Sequence, residues 1–125
     1  MRKITIVLGI CGALAGSLVS ANTEVSPELM QTIEDTTKSL DSNVAIKDAK
    51  AALAEAKELE ELFKQVEAHF AQKNGTPDAV AFSQKSKGFA SEVAKFVEAN
   101  DFDAASKAVN SLAKSCKTCH EIYKK

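Results

Sequence analysis

The sequence predicts an all-α protein, folded as an antiparallel up-down-up-down four-helix bundle. Three observations carry this. The chain is rich in alanine, glutamate and lysine, holds two prolines, and lacks the β-branched alternation of a sheet protein. Apolar residues recur at steps of three and four through four successive segments, the spacing of a helical face turned toward neighbours. The breaks between segments are short, and short connections make consecutive helices antiparallel.

Ahead of those segments, Met1-Arg2-Lys3 precedes an uncharged run from Ile4 to Val19 that closes on Val19-Ser20-Ala21, the anatomy of a cleavable signal peptide. Gly9, Gly12 and Gly16 interrupt the run, so cleavage after Ala21 is expected rather than a retained membrane anchor. Cys11 leaves with the leader, since a lipid-modification site would want a small residue where Ile10 stands. No later stretch is long and apolar enough to span a bilayer. The expected organisation is a signal peptide over 1–21 and a single domain over 22–125, exported to the periplasm of a host with an outer membrane. The leader removes Arg2 and Lys3 and no acid, so the formal charge moves from −1 to −3, too near balance for a nucleic-acid partner.

Ser26-Pro27 opens the first helix with an N-cap residue and a proline at the first helical position. Met30, Ile33, Thr37, Leu40 and Val44 form its inward stripe, and polar turn formers at Asp41-Ser42-Asn43 suggest the first junction. The second segment places Ile46, Ala49, Leu53, Ala56, Leu59, Phe63, Val66 and Phe70 on one face and stops at Asn74-Gly75. Thr76-Pro77 opens the third, with Phe82, Ser86, Phe89, Val93 and Phe96 inward, and it stops near Asn100. Asp101 caps the fourth, where Phe102, Ala105, Val109, Leu112, Cys116, Cys119 and Tyr123 keep the rhythm. In such a bundle one end gathers Met30, His69, Phe70, Pro77 and the stretch from Cys116 to His120.

Cys116-Lys117-Thr118-Cys119-His120 is the C-x-x-C-H pattern of covalent haem attachment. Two thiols three apart on a helix share a face and can add to the two vinyl groups, and the adjacent histidine can meet the iron. One haem c per chain is expected, near the C-terminal end of the fourth helix. Three other readings compete. A disulfide suits an oxidising compartment. A C-x-x-C redox pair belongs at a helix N-terminus, whereas these cysteines lie near a C-terminus. Zinc would find only Cys116, Cys119, His120 and His69 in the mature chain.

Three readings remain for the iron's sixth position: the thioether of Met30, an open site, or His69. Methionine ligation suits one-electron transfer to a periplasmic redox partner, because thioether sulfur stabilises ferrous iron. An open distal face lined by residues such as Ile33 and Phe70 would suit binding of carbon monoxide or nitric oxide instead. Lys114, Lys117, Lys124 and Lys125 surround the motif, as a face steering an acidic partner or as a solvated helix end. Glu55, Glu58, Glu60 and Glu61 read as an exposed face. No serine-histidine-acid set or paired carboxylates mark a hydrolytic site, and no enzymatic activity is expected.

The stretch from Lys114 through Cys116, Cys119 and His120 to Lys125 closely resembles the C-terminal end of the class II cytochromes c, the cytochrome c′ family. The resemblance implies a periplasmic four-helix bundle with Cys116 and Cys119 as thioether residues, His120 as proximal ligand and Lys124 as a basic neighbour of that histidine. One branch of that family leaves the sixth site open and binds gases. Another fills it with a methionine of the first helix, and Leu29-Met30 is similar to that low-spin branch. Some members form homodimers through their first two helices, so a homodimer is a further expectation.

Overall fold

The computed structural model describes residues 25–73 and 76–123; the leader with Cys11, the Asn74-Gly75 stop and the lysines Lys124 and Lys125 lie outside the described residues. Four helices follow one another: α1 Pro27–Ala45, α2 Ala49–Ala71, α3 Pro77–Glu98 and α4 Phe102–Tyr123. Among the described residues there is no strand. Contacts run round a ring, α1 on α2, α2 on α3, α3 on α4 and α4 on α1, as an antiparallel four-helix bundle requires. The α2–α3 seam is the most extensive of the four and the α1–α4 seam the thinnest.

The corners explain the topology. Ser26 caps α1, its Oγ accepting from the Leu29 N–H at 3.1 Å, and Pro27 takes the first helical position. The helix does not stop at Asp41-Ser42-Asn43. Ser42 donates its hydroxyl back to the Lys38 carbonyl at 3.1 Å and Val44 is buried, so helical pairing continues to Ala45. The stop is a Schellman turn, in which the Asp48 N–H donates to the Asn43 carbonyl at 2.9 Å and the Lys47 N–H to that of Val44 at 3.1 Å. Lys47 holds the left-handed position, at φ 60°. Ile46 is therefore a corner residue, 72% exposed, and not part of the inward face of α2.

The same corner recurs between α3 and α4. The Asp101 N–H donates to the Phe96 carbonyl at 2.8 Å, the Asn100 N–H to that of Val97 at 3.0 Å, and Asn100 sits at φ 58°. In both corners the next residue is an aspartate that caps the following helix: Asp48 accepts from the Ala51 N–H and Asp101 from the Ala104 N–H, each at 3.1 Å. Between α2 and α3, Thr76 Oγ1 lies 3.1 Å from the Phe70 carbonyl and 3.2 Å from that of Lys73, binding the end of α2 rather than capping α3.

The half of the bundle toward these two corners is a dry core. Leu40, Leu59, Val93 and Leu112, one from each helix, are fully buried there, each contributing on the order of 2 kcal/mol. On α3 the buried stripe is made of Ala79, Ser83, Ser86, Ala90, Val93, Ala94 and Val97, while Phe82, Phe89 and Phe96 flank it half-buried. The expected inward phenylalanines are thus displaced to the edges of the seam, because small residues let α3 approach its neighbours closely. Ala49 is exposed, and Ala52 replaces it on the buried face of α2. Of the glutamate run, Glu58 and Glu61 are exposed, but Glu55 accepts from the Ser39 hydroxyl and, at 2.9 Å, from the Asn43 side-chain amide, clamping α2 to α1.

Glu67 ties α2 to α3 through Lys87 Nζ at 2.6 Å and Gln84 Nε2 at 3.0 Å. The Lys87 hydrogen bond first, and that of Gln84 second, hold its carboxyl below the ordinary range. A depressed carboxyl stabilises the fold above its unfolded-state pKa and loses that contribution as pH falls through the folded value. Glu67→Gln is expected to lower stability at pH 7 by up to about 1 kcal/mol, with the difference vanishing in acid, as followed by denaturant unfolding across pH. In the same assay Lys47→Gly is expected to raise stability by about 1 kcal/mol, since glycine adopts the left-handed position without steric cost, and Asn100→Gly by clearly less, since asparagine tolerates it.

Candidate functional site

Away from the two matched corners the leucines give way to smaller and more polar side chains, and a cavity of about 690 Å³ opens where α1 and α4 part. Its size is that of a site for a small molecule or cofactor. Every helix contributes to it. Cys116, Cys119 and His120 come from α4, Met30, Ile33 and Thr37 from α1, Phe63 and Val66 from α2, and Phe82, Ser83 and Ser86 from α3. The helical spacing of Cys116 and Cys119 puts both thiols on the cavity side, and the next residue, His120, reaches the same space. Met30 is half-buried against the core on the neighbouring helix, as its phase in α1 predicts.

The two thiols are free and half-buried. Burial, and then the neighbouring Cys119, pushes the Cys116 thiol up to about 11; burial also raises that of Cys119. Both are therefore neutral at ordinary pH, the opposite of the low-pKa thiolate on which C-x-x-C redox exchange depends. Among the described residues no group of three or more His, Cys, Asp or Glu side chains is arranged to hold a metal ion.

The α3 wall contains hydroxyls in an otherwise apolar setting. Ser83 donates to the Ala79 carbonyl at 2.7 Å, and Ser86 Oγ lies 2.8 Å from Ser115 Oγ in a buried pair joining α3 to α4. Ser115 immediately precedes Cys116, so this pair fixes α4 where the cysteines depart from it. The mouth carries both signs of charge: Glu34 and Lys38 of α1, paired at 2.7 Å, and Lys117 and Glu121 of α4.

The sequence model of the family described as Cytochrome C' matches residues 22–124. The chain belongs to the cytochrome c′ family. No curated protein and no solved structure matches it. Membership in the cytochrome c′ family implies a covalently bound c-type haem. The residues of the cavity fit that group: two uncommitted thiols one helical turn apart, an imidazole beside the second, a thioether from the neighbouring helix, and apolar walls. Among the described residues no helix is long and apolar enough to cross a membrane.

Met30, Cys116, Cys119 and His120 are thus brought together. His69 is not. It is half-buried near the end of α2, its ring edge-on to that of Phe70 at 5.0 Å between centroids, and it does not line the cavity. Phe70, expected with Ile33 on the cavity wall, packs against the core instead; Phe63 and Val66, two turns and one turn earlier, take that place. Glu34, Lys38 and Ser83 also line the cavity and were not singled out from the sequence. For Glu34 and Lys38 the signal was helical phase, since they lie four and eight positions after Met30 on the same row of α1.

Proposed function

We propose that this cytochrome c′ family protein is a periplasmic one-electron carrier in which Cys116 and Cys119 hold a single haem through thioether bonds, His120 is the proximal ligand and Met30 the distal one. The observation that carries the reading is the joint placement of the Met30 thioether and the Cys116, Cys119 and His120 side chains on one cavity, with His69 outside it. Bound there, the haem supplies a single ferric–ferrous couple. The protein's own part is to hold and to shield. Ile33, Phe63, Val66 and Phe82 exclude water and lower the local dielectric. A thioether favours the reduced state over a second nitrogen donor. The Ser86–Ser115 pair holds the cysteine-bearing turn of α4 against α3.

No bond-making chemistry is assigned to the chain, which acts as a carrier and not as an enzyme. Export is supported by the leader pattern over 1–21 and by a family match that begins at residue 22. The partner is a periplasmic redox protein.

The test is to produce the chain with a c-type haem maturation system and to record ferric and ferrous absorption spectra of the wild type and of Met30→Ala. The expected result is a low-spin wild type, with the ferric sulfur-to-iron charge-transfer band lost, high-spin features gained and carbon monoxide bound in Met30→Ala. A high-spin wild type that binds carbon monoxide readily and is unchanged by the substitution would reverse the assignment in favour of gas binding.

A further inference from the structure

A second depression lies on the outer side of the α3–α4 seam, a groove of about 280 Å³ lined by Phe82, Lys85, Phe89, Lys114, Ser115 and Thr118, with Ser111 at its edge. Its relation to the cavity is close. Phe82 lines both spaces. Ser86 lines the cavity, Ser115 lines the groove, and their oxygens are 2.8 Å apart. Phe82 and the Ser86–Ser115 hydrogen bond are thus shared between the two spaces. Ser115 is also covalently joined to Cys116.

Charge separates the groove from the cavity mouth. The mouth carries Glu34 and Glu121 against Lys38 and Lys117, and sums to nothing. The groove carries Lys85 and Lys114 and no carboxylate, on a chain whose formal charge is −1. Both lysines are exposed, the rings of Phe82 and Phe89 beside them are half-buried, and that of Phe89 packs against the core.

We infer that this groove is where the redox partner docks, a protein presenting a carboxylate-rich surface, and that electrons cross the wall formed by Phe82 and the Ser86–Ser115 pair. The inference rests on the one-electron reading above. One electron passes from the reduced protein to the oxidised partner, and no proton, bond or group moves with it. Paired lysines steer an acidic surface toward the groove, and apolar rings provide the dry contact once it arrives.

The experiment uses the reduced haem-loaded protein and stopped-flow oxidation by ferricyanide, a trivalent anion, with poly-glutamate as a competing acidic polymer. Lys85→Glu/Lys114→Glu is compared with Lys50→Glu/Lys64→Glu, which makes the same charge change on exposed positions of α2. The groove variant is expected to slow oxidation by about tenfold at low ionic strength, to lose protection by poly-glutamate, and to approach the wild type as salt rises. Its absorption spectrum stays that of the wild type. Equal slowing by both variants, or by neither, overturns the groove as the docking face. A wild type with no reducible haem would instead overturn the carrier reading, so the two failures are distinguishable.

Discussion

The site depends on the unequal seams of the bundle. Small residues on α3 draw it close to its neighbours, whereas α1 and α4 touch least, and the cavity lies in that gap. The difference is written along the helices. Toward the two matched corners, Leu40, Leu59, Val93 and Leu112 close the interior to water. One to three turns away the same inward faces carry Ser83, Ser86, Cys116 and Met30, which leave room rather than fill it. A ligand bound only by the folded chain would add its binding free energy to the stability of this half of the bundle.

Antiparallel order is what makes the gap chemically useful. Met30 lies near the start of α1 and the C-x-x-C-H motif near the end of α4, far apart in sequence but on one cavity in space. Two matching corners secure that order, each ending a helix with a left-handed residue and beginning the next with an aspartate cap. Charge then gives the site a direction. The balanced mouth and the lysine-lined groove flank the same cavity, and only the groove offers a single sign.

Much of this was legible in the sequence because helical phase is a strong signal. The four helices, the Ser26 and Asp101 caps and the convergence of Met30 with Cys116, Cys119 and His120 followed from spacing and topology alone. The first junction was misplaced because the left-handed residue that ends α1 is Lys47 and not glycine, so nothing in its identity announces a stop. On α3 Ser86 and Val93 are buried as their phase predicts, but the interior beside them is taken by Ser83, Ala90 and Val97 rather than by Phe82, Phe89 and Phe96. Hydrophobicity alone favours phenylalanine there, whereas close helix packing favours small side chains. The wall between cavity and groove was beyond reach, since the Ser86–Ser115 pair joins residues 29 apart in the chain and no local pattern signals it.

The central claim, that Cys116 and Cys119 carry a haem within this bundle, is tested most directly by mass. The chain is produced with a c-type haem maturation system, treated with acidified organic solvent to strip loosely bound cofactor, digested and weighed peptide by peptide. The account predicts that the peptide holding Cys116 and Cys119 retains the added mass of one haem after that treatment. The same peptide found without haem, with its two cysteines joined as a disulfide or left as free thiols, would contradict it.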